Sequence, residues 1–284
     1  MIICIVGPTG VGKTKLSVEL AKKYQGIVIN ADAMQVYKGM NIGTAKIKEE
    51  EKESIPHYLF DIVDVNKNYT VFDYQKDARK LIEEHKDKTI IFVGGTGLYL
   101  KSALYNYEFP DNNEIQNTYD DLTNEELYKL AIKKDANMDI HQNNRKRLIR
   151  FLNKENKELP PCNPLYEAIY IGLTCDREIL YERINKRVDL MFEEGLEKEV
   201  KSFYDKKINS KALTTAIGYK ELYMYFDGSI TIEEAKELIK KNSRHYAKRQ
   251  YTWFNNQMNI NWFLVDFKNF NNTVEKIIKF IENK

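Results

Sequence analysis

The residues Gly7–Thr14, GPTGVGKT, match the phosphate-loop pattern G-x-x-x-x-G-K-S/T at every fixed position. They follow the apolar run Ile2–Val6 directly and begin a stretch with helical spacing. Glycines in such a turn let successive N–H groups face an anion, and the helix N-terminus adds partial positive charge. Lys13 suits a terminal phosphate and the Thr14 hydroxyl suits Mg²⁺. A glycine-rich turn with a chance lysine is the alternative, which the strand and helix context disfavours. The predicted diphosphate-binding residues of the loop are Gly7, Pro8, Thr9, Gly10, Val11, Gly12, Lys13 and Thr14.

Asp32 is a second candidate for chemistry, because it follows the apolar run Ile27–Ile29 and begins a polar stretch without clear periodicity. An ordinary P-loop NTPase has an apolar strand that ends in a metal-binding acid. Here the run Thr89–Val93 ends in GGTGLY, with Thr96 where the acid would stand. The carboxyl ends of parallel strands meet at one edge, so Asp32 and Thr96 are expected near the phosphate loop. Asp32 can then act as a metal ligand or a general base, with a turn or N-cap carboxylate as the alternative.

Arg183 and Arg187 are four residues apart in a helical pattern that begins near Asp176. Residues at this spacing lie on one helix face, so the two guanidinium groups could close over a diphosphate. An ordinary surface pair with Glu182 or Glu194 is an equally open interpretation.

Two local basic clusters stand out on a chain whose formal net charge is only +2. The first, His141–Arg150, contains no acid, and the second, Lys236–Arg249, contains Glu237 alone. Clustered cations interleaved with aromatic rings favour a surface for nucleic-acid phosphates and bases, although a solvated helix face is the usual alternative. The cations are Arg145, Lys146, Arg147 and Arg150 in the first cluster and Lys236, Lys240, Lys241, Arg244, Lys248 and Arg249 in the second. The aromatic residues are Tyr246, Tyr251, Trp253 and Phe254.

The elements that must position these residues alternate between short apolar runs and helical stretches. Such alternation predicts an α/β fold whose parallel sheet is covered on both faces. The expected strands are Ile2–Val6, Ile27–Ile29, Thr89–Val93, Ala168–Leu173 and Trp262–Val265. The expected helices are Lys13–Tyr24, Phe72–His85, Asp176–Tyr204, Ile232–Phe254 and a last one from Asn271.

The middle of the chain lacks this alternation of strands and helices, because Leu104–Asn163 has almost no strand-like run. Helical patterns occur near Glu125–Lys134 and Asn144–Lys157, and Pro110 and LPPCNP (Leu159–Pro164) mark its ends. We therefore expect a core of residues 1–104 and 164–284, and a helical insertion over 105–163 that binds RNA.

Composition limits the class of protein. A chain of 284 residues with 43% hydrophobic and 30% charged residues suits a soluble globular protein with a real core. No run approaches the roughly 18 apolar residues that would span a bilayer, and the N-terminus lacks the basic region of a signal peptide. Cys4, Cys162 and Cys175 are far apart, which argues against a zinc site or disulfide framework. A cytoplasmic location without membrane attachment is expected.

Taken together, the motifs resemble the tRNA dimethylallyltransferase family, also called tRNA isopentenyltransferases. The resemblance extends over nearly the whole chain. Its segments are GPTGVGKT, NADAMQVYKGMNIGTAK, PHYLFDI, VGGTGLY, HQNNRKRLIR, RINKRVDLMFEEGLEKEV, AIGYKEL and RHYAKRQYTWF. It implies a three-layer core like that of P-loop kinases. It also implies transfer of a dimethylallyl group from dimethylallyl diphosphate to the N6 amine of an adenosine beside the tRNA anticodon, assisted by Mg²⁺.

The resemblance also implies roles for individual residues. Lys13, Thr14 and the loop amides would hold the leaving diphosphate, Thr14 would position Mg²⁺, Asp32 would be the general base and Thr96 would bond near the reacting centre. Lys13, Asp32 and Thr96 are thus the expected catalytic residues. Residues expected to contact the anticodon stem-loop are Asp32, Ala33, Met34, Gln35, Thr96, Lys146, Arg147, Arg244, Lys248, Arg249 and Trp253. We also expect a monomer.

Some positions differ from the commonest family residues, namely Ala33, Gln142, Asn144, Thr215 and Asn255. They concern RNA contacts more than the reaction, because none belongs to the phosphate loop or replaces Asp32. The competing functions are a small-molecule or nucleotide kinase, a non-catalytic RNA-binding protein and a prenyltransferase acting on free AMP or ATP.

Overall fold

The computed structural model describes residues 1–109, 119–153 and 162–284. The chain forms two compact units. One consists of Met1–Asn106 with Pro164–Lys284, and the other is Tyr107–Asn163. The expected ends of the insertion at Pro110 and Leu159–Pro161 lie outside the described residues. RNA binding by the insertion stays a prediction.

The larger unit contains a six-stranded, all-parallel sheet in the order β3-β2-β4-β1-β5-β6. This arrangement confirms the predicted α/β class. The strands are β1 (Ile2–Val6), β2 (Ile27–Asn30), β3 (His57–Tyr58), β4 (Ile90–Val93), β5 (Ala168–Thr174) and β6 (Asn261–Leu264). The short β3 was not predicted, because two residues are too few to show the period of a strand.

The central strands are buried on both faces because helices cover the sheet on both sides. Side chains alternate along each strand. Cys4, Ile29 and Phe92 therefore belong to one hydrophobic cluster, whereas Ile3 and Ile91 belong to another on the opposite face. These two clusters and the sheet between them make the three layers that the sequence predicted.

Helices of the larger unit supply the outer layers. They are α1 (Lys13–Lys23), α2 (Val71–Glu84), α3 (Gly97–Leu104), α6 (Arg177–Glu193), α7 (Leu196–Tyr204), α8 (Lys211–Thr215), α9 (Tyr219–Phe226), α10 (Ile232–Gln257) and α11 (Phe270–Glu282). The helix predicted over Asp176–Tyr204 is wrong in one respect, since it breaks into α6 and α7. Gly195 sits between them with a φ of 102°, which lies outside the helical range. Helices α3, α8 and α9 were not predicted.

The smaller unit contains α4 (Asn124–Lys134) and α5 (Arg145–Asn153), which pack through Leu127, Ala131 and Leu148. Residues 154–157 of the second helical prediction lie outside the described residues. Arg145 donates 2.6 Å hydrogen bonds to the carbonyl oxygens of Tyr119 and Leu122. Part of the first basic cluster therefore stabilises this unit, whereas Lys146 and Arg147 are exposed.

None of the helices in the described part of the chain combines the length and apolar character that a bilayer span requires.

Candidate active site

The phosphate loop leaves the carboxyl end of β1 and enters α1. Gly7, Gly10 and Gly12 have φ values of 136°, 86° and 96°, in the region that favours glycine. A Cβ atom on Gly7 would lie 2.5 Å from the carbonyl oxygen of Leu173 on β5. The glycines therefore let the loop turn tightly while it remains packed against the sheet.

Lys13 lies inside this loop. Its Nζ donates hydrogen bonds to the carbonyl oxygens of Gly7, at 3.0 Å, and Pro8, at 2.7 Å. Burial, together with the positive charge of Arg187, lowers the pKa of Lys13 to about 7, while the Asp32 carboxylate opposes the shift. An anion bound in the loop would favour the charged lysine, so the site is prepared for a phosphate group.

Arg183 and Arg187 reach the phosphate loop from α6. The Nη1 of Arg187 donates to the Thr9 hydroxyl at 2.9 Å, and the Nε of Arg183 donates to the Gly10 carbonyl oxygen at 3.0 Å. Burial also lowers the pKa of Arg187. The hydrogen bonds of both side chains thus go to the loop rather than to Glu182 or Glu194, which favours the phosphate-clamp interpretation over the surface pair.

Asp32 and Thr96 come together at the carboxyl ends of β2 and β4. The Oδ1 of Asp32 accepts a 2.9 Å hydrogen bond from the Met34 N–H, while no hydrogen bond to its Oδ2 is found among the described residues. The Thr96 hydroxyl oxygen accepts from the Ala33 N–H at 3.0 Å. Asp32 is therefore a turn carboxylate with one oxygen still available, which combines the two interpretations that the sequence left open.

Gln35 was expected to contact the anticodon stem-loop, and its side chain also has a role within its own loop. Its Nε2 donates to the carbonyl oxygens of Thr44, at 3.0 Å, and Ala45, at 3.4 Å. The residue nevertheless lines the same cavity as Asp32. Contact of Ala33, Met34 and Gln35 with RNA stays a prediction.

Helix α10 contributes two residues to the site: Gln250, which was not predicted, and Tyr246, which was predicted only as part of a nucleic-acid surface. Gln250 is only 4% exposed; its Oε1 accepts from the Thr9 N–H at 3.2 Å and its Nε2 donates to the Gly95 carbonyl oxygen at 3.1 Å. Burial, and then the nearby charge of Asp32, raise the pKa of Tyr246. Tyr246 and Gln250 are four residues apart in RHYAKRQYTWF, so their side chains lie on the same face of the helix. This spacing of two hydrogen-bonding side chains is the sequence pattern that could have identified them as site residues.

The basic side chains of α10 have unequal surroundings. Lys240 forms 3.0 Å ion pairs with Glu237, on its own helix, and with Asp189, on α6. The first partner is visible in the sequence, whereas the second is brought near only by the fold. Arg244 donates a 2.5 Å hydrogen bond to the Asn185 side chain, also on α6.

Two other cations of α10 have the exposure that a nucleic-acid surface requires, because the side chains of Lys248 and Arg249 are exposed. The Arg249 guanidinium lies 5.6 Å from the centre of the Tyr246 ring. Trp253 is only partly accessible, because its ring packs edge-to-face against Phe254 and closely against Gly97. Contact of Trp253 with an RNA base stays a prediction.

A cavity of about 720 Å³ joins the phosphate loop to the Asp32 side of the sheet edge. Its size suits a small-molecule donor beside a nucleobase. The lining includes Lys13, Thr14, Asp32, Gln35, Thr96, Arg183, Arg187, Lys220, Tyr246 and Arg249.

The cavity lining contains oxygen donors that could hold Mg²⁺. No group of three or more His, Cys, Asp or Glu side chains that could hold a metal occurs within residues 1–109, 119–153 and 162–284. Mg²⁺ commonly uses one or two protein oxygens and completes its octahedron with waters and substrate phosphates. The Thr14 hydroxyl and the Asp32 carboxylate, both in the cavity lining, are oxygen donors of this kind.

The fold and this cavity define an α/β protein of the P-loop class that lacks the usual acid after the strand β4. A sequence model of the family described as IPP transferase matches residues 35–257. Among curated relatives, the tRNA dimethylallyltransferase of Anoxybacillus flavithermus is 44% identical over 305 residues, covering 100% of this chain and 96% of the relative. That of Bacillus subtilis is 44% identical over 292 residues, covering 92% and 90%. The chain belongs to the IPP transferase family, which confirms the resemblance found in its sequence.

Two solved structures of proteins with related names are similar to this chain. The tRNA isopentenylpyrophosphate transferase of Bacillus halodurans matches with a TM-score of 0.78 and 43% identity, covering 99% of this chain and 95% of that protein. A eukaryotic dimethylallyltransferase described as acting on tRNA matches with a TM-score of 0.83 and 27% identity, covering 100% of this chain and 80% of that protein.

Proposed function

We propose that this protein transfers a dimethylallyl group from dimethylallyl diphosphate to the N6 amine of an adenosine adjacent to the anticodon in tRNA. The C–O bond to the diphosphate breaks, the C–N bond forms, and one amine proton is lost. The observation that carries the proposal is the convergence of the phosphate loop, Asp32 and Thr96 on one cavity. Membership of the family supports the same reaction.

The phosphate loop binds the donor, dimethylallyl diphosphate, and stabilises the diphosphate as it leaves. Allylic transfer depends more on stabilising the leaving group than on a strong nucleophile, so positive charge at the diphosphate should dominate. Lys13, the loop amides and the α1 dipole supply that charge, and Arg183 and Arg187 close the clamp from α6. When bound, Mg²⁺ would be held by the Thr14 hydroxyl and diphosphate oxygens and would neutralise further negative charge.

The acceptor half belongs to Asp32 and Thr96. An aromatic amine is barely acidic, so Asp32 orients the N6 group first and accepts its proton as the C–N bond forms. The Thr96 hydroxyl, held by the Ala33 N–H, stands at the neighbouring strand end where it can bond the reacting groups. An adenosine in a loop can leave its stack at modest cost and enter the cavity.

Binding of the anticodon stem-loop is assigned to exposed basic residues. Lys248 and Arg249 lie on α10, which also supplies Gln250 and Tyr246 to the cavity. Lys146 and Arg147 are the corresponding exposed cations of the smaller unit. Phosphate contacts of this kind give affinity and register without reading sequence.

The test is label transfer. The protein is incubated with Mg²⁺, dimethylallyl diphosphate labelled in the allylic group, and undermodified tRNA, with free AMP and ATP as parallel acceptors. Label in the tRNA adenosine and none in AMP or ATP is the expected result. Label in the free nucleotides alone would support the small-acceptor prenyltransferase, and ATP turnover without tRNA labelling would support a kinase; either result overturns the proposal.

A further inference from the structure

Three consecutive backbone N–H groups outside the phosphate loop converge on one side chain. The Asn41 and Ile42 N–H groups donate to Oε2 of Glu199 at 3.0 and 2.8 Å, and the Gly43 N–H donates to Oε1 at 3.1 Å. The Tyr219 hydroxyl donates to the same Oε1 at 2.5 Å. Glu199 lies on α7, more than 150 positions away in the chain, so this carboxylate fixes the loop to a distant helix.

The second contact of this loop is steric. A Cβ atom on Gly43 would lie 2.5 Å from the ring of Tyr219, which is fully buried. The ring thus lies directly against the Gly43 backbone while its hydroxyl binds Glu199. Helices α7 and α9 together form one side of a clamp on Asn41–Gly43.

The clamped residues connect directly to Asp32. The carbonyl oxygens of Thr44 and Ala45, which follow the clamp, accept the two hydrogen bonds of Gln35. Gln35 stands three positions after Asp32, in the same turn as the Met34 N–H that binds its Oδ1. Displacement of the Asn41–Gly43 segment would therefore be passed to Asp32 through a short series of hydrogen bonds.

We propose that Glu199 is a positioning residue for the acceptor half of the reaction; this inference rests on the proposed function. A carboxylate that accepts several N–H groups forms charge-assisted hydrogen bonds, which are stronger than neutral ones. Its removal leaves three backbone donors without their acceptor and frees the loop, whereas the phosphate loop keeps its own contacts with Gln250 and α6. A misplacement of about 1 Å in such a site can lower the rate about 100-fold.

The experiment compares steady-state kinetics of Glu199→Ala, Glu199→Gln and Tyr219→Phe in the tRNA-labelling assay. We expect kcat to fall about 10- to 100-fold in Glu199→Ala, with the KM for dimethylallyl diphosphate changed less than about twofold. Glu199→Gln keeps one acceptor oxygen and should lose less, and Tyr219→Phe removes one of the four donors and should lose least. Glu197→Gln on the same helix is the matched control and should behave as wild type.

A second variant changes the contact between the loop and the Tyr219 ring instead of the contact with Glu199. Gly43→Ala leaves Glu199 unchanged but forces the loop away from the Tyr219 ring, so it should show the same loss of kcat with the donor KM retained. Hydrogen exchange adds a readout independent of catalysis: Glu199→Ala should accelerate exchange in the segment that contains Asn41–Gly43 and not in Gly7–Thr14.

The outcomes separate the two claims. Wild-type protein that transfers no label to tRNA overturns the proposed function. Wild-type transfer with an unchanged kcat in both Glu199→Ala and Gly43→Ala overturns the positioning role alone. An equal loss of kcat and of donor affinity, together with faster exchange throughout the chain, would mean general destabilisation and would also overturn it.

Discussion

The phosphate loop and the basic part of α10 both concentrate positive charge, but they are built differently. In the loop, charge comes from backbone N–H groups, a helix terminus and one partly buried lysine, all within eight consecutive residues. On α10, charge comes from long side chains whose surroundings differ: Lys240 is paired with Asp189, Arg244 is bonded to Asn185, and Lys248 is exposed. A local, backbone-built site can be recognised from spacing alone, whereas a surface built from side chains depends on what other elements place beside it.

The largest effect that separates the two regions should come from Lys13→Met. Loss of a positioned charge at the leaving group should lower kcat/KM about 10²- to 10³-fold, because stabilisation of charge in the transition state is lost. The tRNA dissociation constant should change little, since RNA binding is assigned to exposed cations outside the phosphate loop. Single-turnover label transfer and filter binding measure the two quantities, with Lys23→Met at the far end of α1 as control. A comparable loss of tRNA affinity would remove the distinction between the regions.

The second largest effect is a pH dependence of donor binding. The folded pKa of Lys13 is about 7, below its ordinary value of 10.5, so the free protein loses this proton as pH rises above about 7. Diphosphate favours the charged lysine, and binding must therefore take up a proton and weaken by up to about tenfold per pH unit above 7. Calorimetry at pH 8 in two buffers of different ionisation enthalpy measures the proton uptake, which should vanish in Lys13→Met. No uptake in the wild type would argue against a depressed pKa.

The same shift has a consequence for the ligand-free fold. Between about pH 7 and 10.5 the unfolded chain holds the Lys13 proton that the folded chain has lost. The contribution of Lys13 to the free energy of unfolding should therefore increase with pH across this window. Denaturant titrations of the wild type and Lys13→Met at pH 7 and pH 9 measure the difference, and a contribution that falls with pH would contradict the assignment.

The smallest effects should come from single cations on α10. Lys248→Ala should weaken tRNA binding a few-fold and reduce the slope of log K against log salt by about 1, because one phosphate contact is lost. Lys240→Ala should leave that slope nearly unchanged, because its ammonium is already paired with Asp189. Lys279→Ala on α11 is the control for a general loss of positive charge. Equal slopes in all three variants would favour a solvated helix face for α10.

The parts of the molecule that could be predicted share a local cause. Strands such as β1 are continuous apolar runs, and the phosphate loop needs glycines at fixed positions because three of its residues have positive φ values. Asp32 and Thr96 could be placed together because parallel strands share their carboxyl edge. Each inference needed only neighbouring residues and one general rule of sheet topology.

The parts that could not be predicted depend on contacts between distant segments. The break at Gly195 looked like one residue within a longer helical pattern, and β3 has only two residues. Gln250 lies among basic and aromatic neighbours, and only the folded chain brings it against Thr9 and Gly95. Glu199 likewise looks like one of several acids in EEGLEKEV until α7 meets the loop after Asp32.

The central claim is that Asp32 acts on a nucleophile that attacks beside the leaving diphosphate. Single-turnover transfer by Asp32→Ala, at saturating dimethylallyl diphosphate and tRNA, tests it most directly when the tRNA dissociation constant is measured on the same preparation. The rate should fall about 10²- to 10⁴-fold, as expected for loss of a general base, with tRNA affinity kept within about threefold. A rate close to wild type with a large loss of tRNA binding would contradict the claim and make Asp32 an RNA contact instead.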